Sequence, residues 1–220
     1  IQEEKATDIH IVPTHLAAFL ALPDVDKYDL SSLKRMFYAA SPMPLELLKR
    51  GMEKWGPIFV QFYGSTETGP NVTMLSKKEH AAVYKTPEEQ KILTSCGHPH
   101  IGVHVRIVDE KNQDVEPNQI GEIIVKSKAV PKGWWRKPEE DLDTFVDGWV
   151  HTGDMGYYDE RGYIYIVDRK KDMIVSGGEN IYPREVEEVL YQHPAVQEAA
   201  VFGVPDEYWV ERVHAAIVLK

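Results

Sequence analysis

Residues 41–57, reading SPMPLELLKRGMEKWGP, constrain the fold more than any other stretch of this chain. Leu45, Leu48, Met52 and Trp55 recur at spacings of three and four, which puts them on one face of a helix. Ser41 can cap that helix. Pro42 and Pro44 suit its first turn, where amide hydrogens have no partner anyway. Gly56-Pro57 ends it, and residues 58–63 follow as an apolar strand. Upstream, residues 9–12 read as a short strand, 16–22 as a helix stopped by Pro23, and 33–38 as another strand. A helix with one apolar face has to bury it, and strands on either side of it point to α/β layering.

The pattern then changes twice. Residues 103–108, 120–125 and 163–167 read as strands, with Asp159-Glu160-Arg161-Gly162 as a hairpin turn. This part is β-rich, and 131–149 reads as an irregular surface loop. From 168 a charge run, Asp168-Arg169-Lys170-Lys171-Asp172, precedes a strand at 173–175 that Gly177-Gly178 breaks. Pro183 can open a helix containing Val186, Val189 and Leu190, with Glu185 and Glu187 suited to its early turns. Strands at 196–202 and 213–219 complete a β-α-β-β unit. The expected divisions are 1–96, 97–168 and 169–220.

Composition narrows the function classes. With 43% hydrophobic and 27% charged residues, the 220-residue chain is neither disordered nor fibrous. A net charge of −10 argues against non-specific nucleic-acid binding, yet leaves room for a nucleotide site. The lone cysteine, Cys96, cannot form an internal disulfide and reads as a buried small apolar residue. No apolar run reaches the roughly 18 residues needed to span a bilayer, so any membrane contact is expected to be peripheral and the location cytoplasmic. The chain opens on Ile1-Gln2-Glu3 without a start methionine and stops at Lys220 after a strand-like run. It is therefore expected to be a segment of a longer protein.

Three local signals carry chemistry. Tyr63-Gly64-Ser65-Thr66-Glu67-Thr68-Gly69 follows a strand directly. Gly64 permits a tight turn or a close ligand approach, the hydroxyls of Ser65 and Thr66 can donate to phosphate, and Glu67 offers oxygen to Mg²⁺. The same residues also suit a plain strand-to-helix turn with capping hydroxyls. In His151-Thr152-Gly153-Asp154, the Asp154 carboxylate can accept both hydroxyls of a ribose, or form an Asx turn. In the third, RKKDMIVSGGEN at 169–180, Arg169 can bind ribose or phosphate, Lys171 can mark a joint, and Gly177-Gly178 can let a ligand pass near the backbone, or the whole can be a solvated charge run and hairpin. His98 and His100 flank Pro99, but two ligands are too few for a metal site. Neither a GxxxxGK[ST] loop nor a GxGxxG fingerprint occurs.

These signals occur together, in order, within QFYGSTETG (61–69), IGEIIVKSKAVPKGWW (120–135), GWVHTGDMGYYDERGYIYIVDRKKDMIVSGGENIYPREVEEVL (148–190) and HPAVQEAAVFGVPDEYWVERVHAAIVLK (193–220). On these stretches the chain closely resembles the acyl-adenylate-forming superfamily, which includes acyl-CoA synthetases, peptide-synthetase adenylation domains and luciferases. The resemblance implies an α/β layer and a distorted β-barrel subdomain of a large AMP-binding domain, followed by the start of a small α+β C-terminal domain. It implies activation of a carboxylic acid by Mg-ATP to an acyl-adenylate, then thioester formation with coenzyme A after the small domain changes pose.

Residue by residue, the resemblance implies that Ala40, Ser41 and Pro42 line the adenine and acyl pocket, where other members often carry glycines. Gln61 and Tyr63 would lie at the adenine, next to Gly64. Thr66 would contact the α-phosphate and Glu67 would hold Mg²⁺. Asp154 would bind the ribose hydroxyls with Arg169 beside it, and these groups would converge on one nucleotide-sized crevice. Lys171 matches the hinge. Gly177, Gly178 and Asn180 would flank the coenzyme A path.

Some positions depart from the pattern. Asp168 replaces a common glycine and Val175 a common lysine. The family's Ser/Thr/Gly-rich phosphate loop lies upstream of these residues and its catalytic lysine lies beyond Lys220, so this segment alone is expected to bind ATP weakly and to be inactive. VHTGD and DRKKDMIV differ from the peptide-synthetase forms. The sequence fits a fatty-acid–CoA ligase best, since AASP and TETGPN are small and open. An aryl-acid–CoA ligase of benzoate or coumarate type and a non-catalytic homologue are the alternatives. Chain composition leaves the oligomeric state undetermined.

Overall fold

The computed structural model describes residues 1–82, 87–137 and 143–220. The N-terminal layer begins with β1 (Asp8–Ile11), α1 (Pro13–Ala21), β2 (Arg35–Tyr38), α2 (Leu45–Trp55) and β3 (Phe59–Ser65). The three strands are parallel, with Ile9 beside Met36 and Met36 beside Phe59. Parallel strands need crossovers, which α1 and α2 supply. Leu16, Leu48 and Met52 on the helices bury against Met36, Tyr38 and Phe59 in one core. Gly51 permits this packing, because a β-carbon there would sit 2.8 Å from the Phe59 ring.

Both helices start where proline dictates. Pro13 occupies the first turn of α1, three residues ahead of the expected start. In α2 the N-cap is Pro44, not Ser41. A residue before proline is pushed out of the helical region, so the spacing in Ser41-Pro42-Met43-Pro44 keeps this stretch extended until Leu45. Met43 is buried there.

After β3 comes a strand, β4 (Gly69–Leu75), so the alternative of a strand-to-helix turn at 63–69 does not hold. It runs antiparallel to β3 and carries β5 (His98–Pro99) on its far edge, giving the order β1-β2-β3-β4-β5. Between β4 and β5 lie α3 (Lys77–Ala82) and α4 (Pro87–Gln90). Ser76 and Glu79 close the N-terminus of α3 reciprocally. The Glu79 amide donates to the Ser76 hydroxyl at 3.2 Å and the Ser76 amide to the Glu79 carboxylate at 2.7 Å. Cys96 is buried, its thiol donating to the Ile164 carbonyl at 3.2 Å.

That helix delivers His80 into the core, fully buried. Its Nδ1 lies 2.8 Å from the Ser76 carbonyl and must donate to it, so Nε2 accepts from the Tyr38 hydroxyl at 3.0 Å. Burial pulls the His80 pKa down to about 4. The unfolded chain takes up a proton near pH 6.5 that the folded chain refuses until about pH 4. Stability is therefore complete above pH 6.5 and falls through this window by about 3 kcal/mol. Denaturant titration of wild type and His80→Gln across pH 4–7 checks this. The variant should show a much flatter pH dependence, and parallel curves would refute the assignment.

The second sheet has the order β10-β9-β7-β6, built from β6 (Val103–Val108), β7 (Gly121–Ser127), β9 (Trp149–Tyr158) and β10 (Ile164–Arg169), with β8 (Phe145–Val146) paired to β9. It is a curled antiparallel sheet, partly barrel-like. The stretch 131–149, expected as irregular, thus contains a strand, and 138–142 lie outside the described residues. Asp147 and Gly148, both with positive φ (52° and 78°), form the two-residue hairpin between β8 and β9.

The C-terminal α+β region comprises β11 (Ile174–Ser176), β12 (Glu179–Ile181), α5 (Pro183–Tyr191), β13 (Val196–Asp206) and β14 (Val210–Leu219), in sheet order β12-β11-β14-β13. Gly177 and Gly178, at φ 60° and 89°, make the tight turn between β11 and β12. The chain divides into two compact units. One comprises Ile1–Arg106, Ile124–Thr152 and Tyr158–Tyr165, and the other Ile107–Ile123, Gly153–Tyr157 and Ile166–Lys220.

Candidate active site

In the first unit the candidate residues gather on the β3–β4 hairpin. Gly64 is required there by close approach. A β-carbon on it would fall inside van der Waals contact of the Gly69 carbonyl oxygen and 2.7 Å from the Pro70 carbonyl carbon. Gly64→Ala should therefore destabilise the first unit by about 3 kcal/mol or more. Thermal unfolding followed by circular dichroism measures it, and a melting point within about 1 °C of wild type would contradict the crowding.

Thr68 organises the turn from inside. It is buried, and its hydroxyl oxygen accepts the Ser65 amide at 2.9 Å, lies 3.2 Å from the Ser65 hydroxyl and donates to the Gly69 carbonyl at 3.1 Å. Ser65, expected to face phosphate, has its hydroxyl beside Thr68 instead. Thr66 is exposed and Glu67 half-buried, and among the described residues no hydrogen bond or ion pair engages either side chain. A turn satisfied by its own Ser and Thr thus presents one hydroxyl and one carboxylate.

Gln61, two residues before Tyr63 on β3, has a buried carboxamide oxygen without a hydrogen-bond partner among the described residues. A buried acceptor left open is costly unless something donates to it, and an amino group on a bound ring would. Ala40, just past the C-terminal end of β2, holds φ at +75°. The left-handed region costs a residue with a β-carbon about 1–2 kcal/mol, which accounts for the glycine common at this position in the resembling family. Ser41 is exposed beside it, and Pro42 follows outside any helix or strand.

These residues sit at the carboxyl ends of the parallel strands, where open α/β sheets bind ligands. An apolar cavity of about 180 Å³ lies toward the other ends, lined by Ile9, Phe19, Leu33, Met36 and Trp55. Its lining is mostly apolar and holds no cationic side chain; Gln2 and Tyr28 are its polar members.

The second unit holds the other candidates. Asp154 lies inside β9 rather than in a turn. Arg169 ends β10, and its Nε stands 3.7 Å from the Asp154 carboxylate. Glu122, at the start of β7, reaches both neighbours of that pair. It accepts the Gly153 amide at 3.2 Å and pairs with Lys170 Nζ at 3.2 Å. Asp168 receives the Arg184 amide at 3.0 Å, capping the N-terminal turn of α5, while the Arg184 guanidinium donates to the Ile166 carbonyl at 2.9 Å. Lys171 is exposed in the 3₁₀ turn Lys170–Asp172. Gly177, Gly178 and Asn180 are exposed on the β11–β12 hairpin. Gly177 has no room for a side chain, since a β-carbon would lie 2.8 Å from the Trp209 ring.

Glu122 and Lys170 escaped the sequence reading. Their partners lie 31 and 48 residues away, so spacing carries no signal, and a glutamate beside a strand glycine reads as solvent-facing. Among the described residues no cluster of three or more His, Cys, Asp or Glu side chains can hold a metal ion, and no helix is long and apolar enough to cross a membrane. A Mg²⁺ ion held by one carboxylate and substrate phosphates needs no such cluster.

Comparison with known proteins decides the family. Residues 1–135 match the AMP-binding enzyme family, and residues 185–220 match the AMP-binding enzyme C-terminal domain. The chain belongs to the AMP-binding enzyme family. Among curated relatives, a medium/long-chain-fatty-acid–CoA ligase of Mycobacterium tuberculosis is 43% identical over all of this chain and 37% of its own length. A feruloyl-CoA synthase of an Amycolatopsis species is 41% identical over 99% of this chain and 42% of its own.

Among solved structures, the amide bond synthetase of Marinactinospora thermotolerans superposes with a TM-score of 0.90 at 35% identity, over all of this chain and 43% of that one. The o-succinylbenzoate CoA synthetase of Bacillus subtilis, solved with its acyl-adenylate intermediate, gives 0.84 at 37% identity over 99% and 42%. The same enzyme has been solved with ATP and magnesium ion. This AMP-binding chain spans about two-fifths of the length of the relatives it matches.

Proposed function

We propose that the whole protein is an AMP-forming acid–thiol ligase. It joins a carboxylic acid to ATP as an acyl-adenylate with release of pyrophosphate, then passes the acyl group to the thiol of coenzyme A with release of AMP. The observation that carries this reading is the β3–β4 turn, where Thr68 satisfies the turn from inside while no described residue engages the side chains of Thr66 and Glu67. A carboxylate approaching the α-phosphate meets negative charge, so donors must be in place before the transition state forms. The Thr66 hydroxyl supplies one. Glu67 would hold a Mg²⁺ ion, which neutralises phosphate charge when bound. The open acceptor on Gln61 fits an exocyclic amine, Tyr63 offers a ring to stack on the base, and Ala40 with Ser41 and Pro42 borders the same strand ends. Asp154 accepts from ribose hydroxyls, with Arg169 beside it. Lys171 is assigned to the hinge, and Gly177, Gly178 and Asn180 to the thiol substrate's approach.

For the acid, the reading shifts from the aliphatic expectation toward an aryl acid. Small residues at 39–42 do not discriminate, because a flat ring fits beside them as well as an acyl chain. Ligases named for feruloyl and o-succinylbenzoate substrates stand beside the fatty-acid ligase at similar identity, which supports the aryl alternative. The test is incubation of the whole protein with ATP, Mg²⁺, coenzyme A and a panel of benzoate-type, cinnamate-type and C8–C16 acids, with thioesters read by mass. Aryl thioesters and AMP are expected. Fatty thioesters alone would return the substrate to the aliphatic class, and no AMP with any acid would favour a non-catalytic homologue.

A further inference from the structure

We propose that Glu122 is a positioning residue for the ribose-binding pair, holding Asp154 and Arg169 at working distance from each other. The inference rests on the nucleotide reading of Asp154 above. Its basis is that one carboxylate grips the chain neighbours of both members of the pair. One oxygen accepts the amide of Gly153, the residue before Asp154, at 3.2 Å. The other pairs at 3.2 Å with Lys170, the residue after Arg169. Gly153 has φ +71°, a left-handed backbone inside β9, and its amide takes a side-chain oxygen of Glu122 as acceptor.

Glu122 itself is well fixed. Its side chain is only 13% exposed. The preceding Gly121 lies so close to β6 that a β-carbon on it would come 2.9 Å from the Val108 carbonyl carbon. An ordinary surface ion pair contributes little because both side chains roam in water. Here the acid is anchored and one of its bonds is to backbone, so the geometry is set by the strand start and not by two long side chains.

The experiment compares Michaelis constants for ATP and 2′-deoxy-ATP in the whole protein, for wild type, Glu122→Ala and Glu122→Gln. Wild type should favour ATP by roughly tenfold, the value of one charge-assisted hydrogen bond. In Glu122→Ala the KM for ATP should rise about tenfold while that for 2′-deoxy-ATP moves within about threefold, so the ribose preference collapses. Glu122→Gln keeps an acceptor for Gly153 and loses the Lys170 charge, so about a threefold rise for ATP is expected. It also carries the test if the alanine variant fails to fold. An undiminished tenfold ribose preference in both variants, or in glutamine alone if alanine is unfolded, would overturn the positioning role. Wild type that does not distinguish the two nucleotides would instead remove the ribose assignment of Asp154, and this inference with it.

Discussion

Replacing Glu67 with glutamine should lower the rate of acid-dependent ATP consumption about 100- to 1000-fold at fixed Mg²⁺. The expectation follows from what the side chain does not do. Glu67 is half-buried on the β3–β4 turn, and no described residue bonds to its carboxylate, so its removal leaves the fold untouched. The turn keeps its shape because Thr68 holds the Ser65 amide. A melting temperature within about 1 °C of wild type should accompany the loss. Glutamine is isosteric but carries no charge and is a poor ligand for a hard cation. The Mg²⁺ concentration for half-maximal rate should rise, and excess Mg²⁺ should restore part of the activity. An unchanged Mg²⁺ dependence would separate Glu67 from the metal.

Asp154→Ala should raise the KM for ATP about 100-fold, the combined value of two hydrogen bonds to a charged acceptor. The ion pair of Asp154 with Arg169, at 3.7 Å and with the arginine side chain 63% exposed, contributes under about 1 kcal/mol of stability, and a melting curve of the variant is measured alongside. When a ribose binds, its hydroxyls donate to a carboxylate already only 15% exposed, so little new desolvation is required. Asp154→Asn keeps the shape and loses the charge, and should fall between alanine and wild type. If alanine at 154 left the KM for ATP unaltered while the protein stayed folded, Asp154 would have no part in nucleotide binding.

Periodicity made the repetitive parts of this fold legible before any coordinates. The β6 strand occupies Val103–Val108 as read, and the face of Leu45, Leu48 and Met52 packs where α2 was expected. The prolines shifted the helix starts, because Pro13 admits an earlier first turn and Pro42 with Pro44 forbids one. The β4 strand was missed for a different reason. Gly69-Pro70-Asn71 looks like loop, and the preceding Thr-Glu-Thr looks like a helix cap, so only pairing with β3 reveals the hairpin. The alternative of an Asx turn at Asp154 rests on the neighbouring Gly153, whose positive φ lies inside β9. The candidate side chains were visible through their grouping in motifs. Glu122 was not, because a contact across strands leaves no trace in local spacing.

The measurement closest to the central claim is exchange of labelled pyrophosphate into ATP by the whole protein, with and without acid, for wild type, Glu67→Gln and Asp154→Ala. Exchange requires reversible adenylation of the acid, so it reports the first step free of coenzyme A. Label should enter ATP only when both Mg²⁺ and a substrate acid are present, and each variant should reduce it by about 100-fold at subsaturating ATP. Exchange that needs no acid, or that survives both substitutions in folded protein, would contradict the assignment of these residues to acyl-adenylate formation.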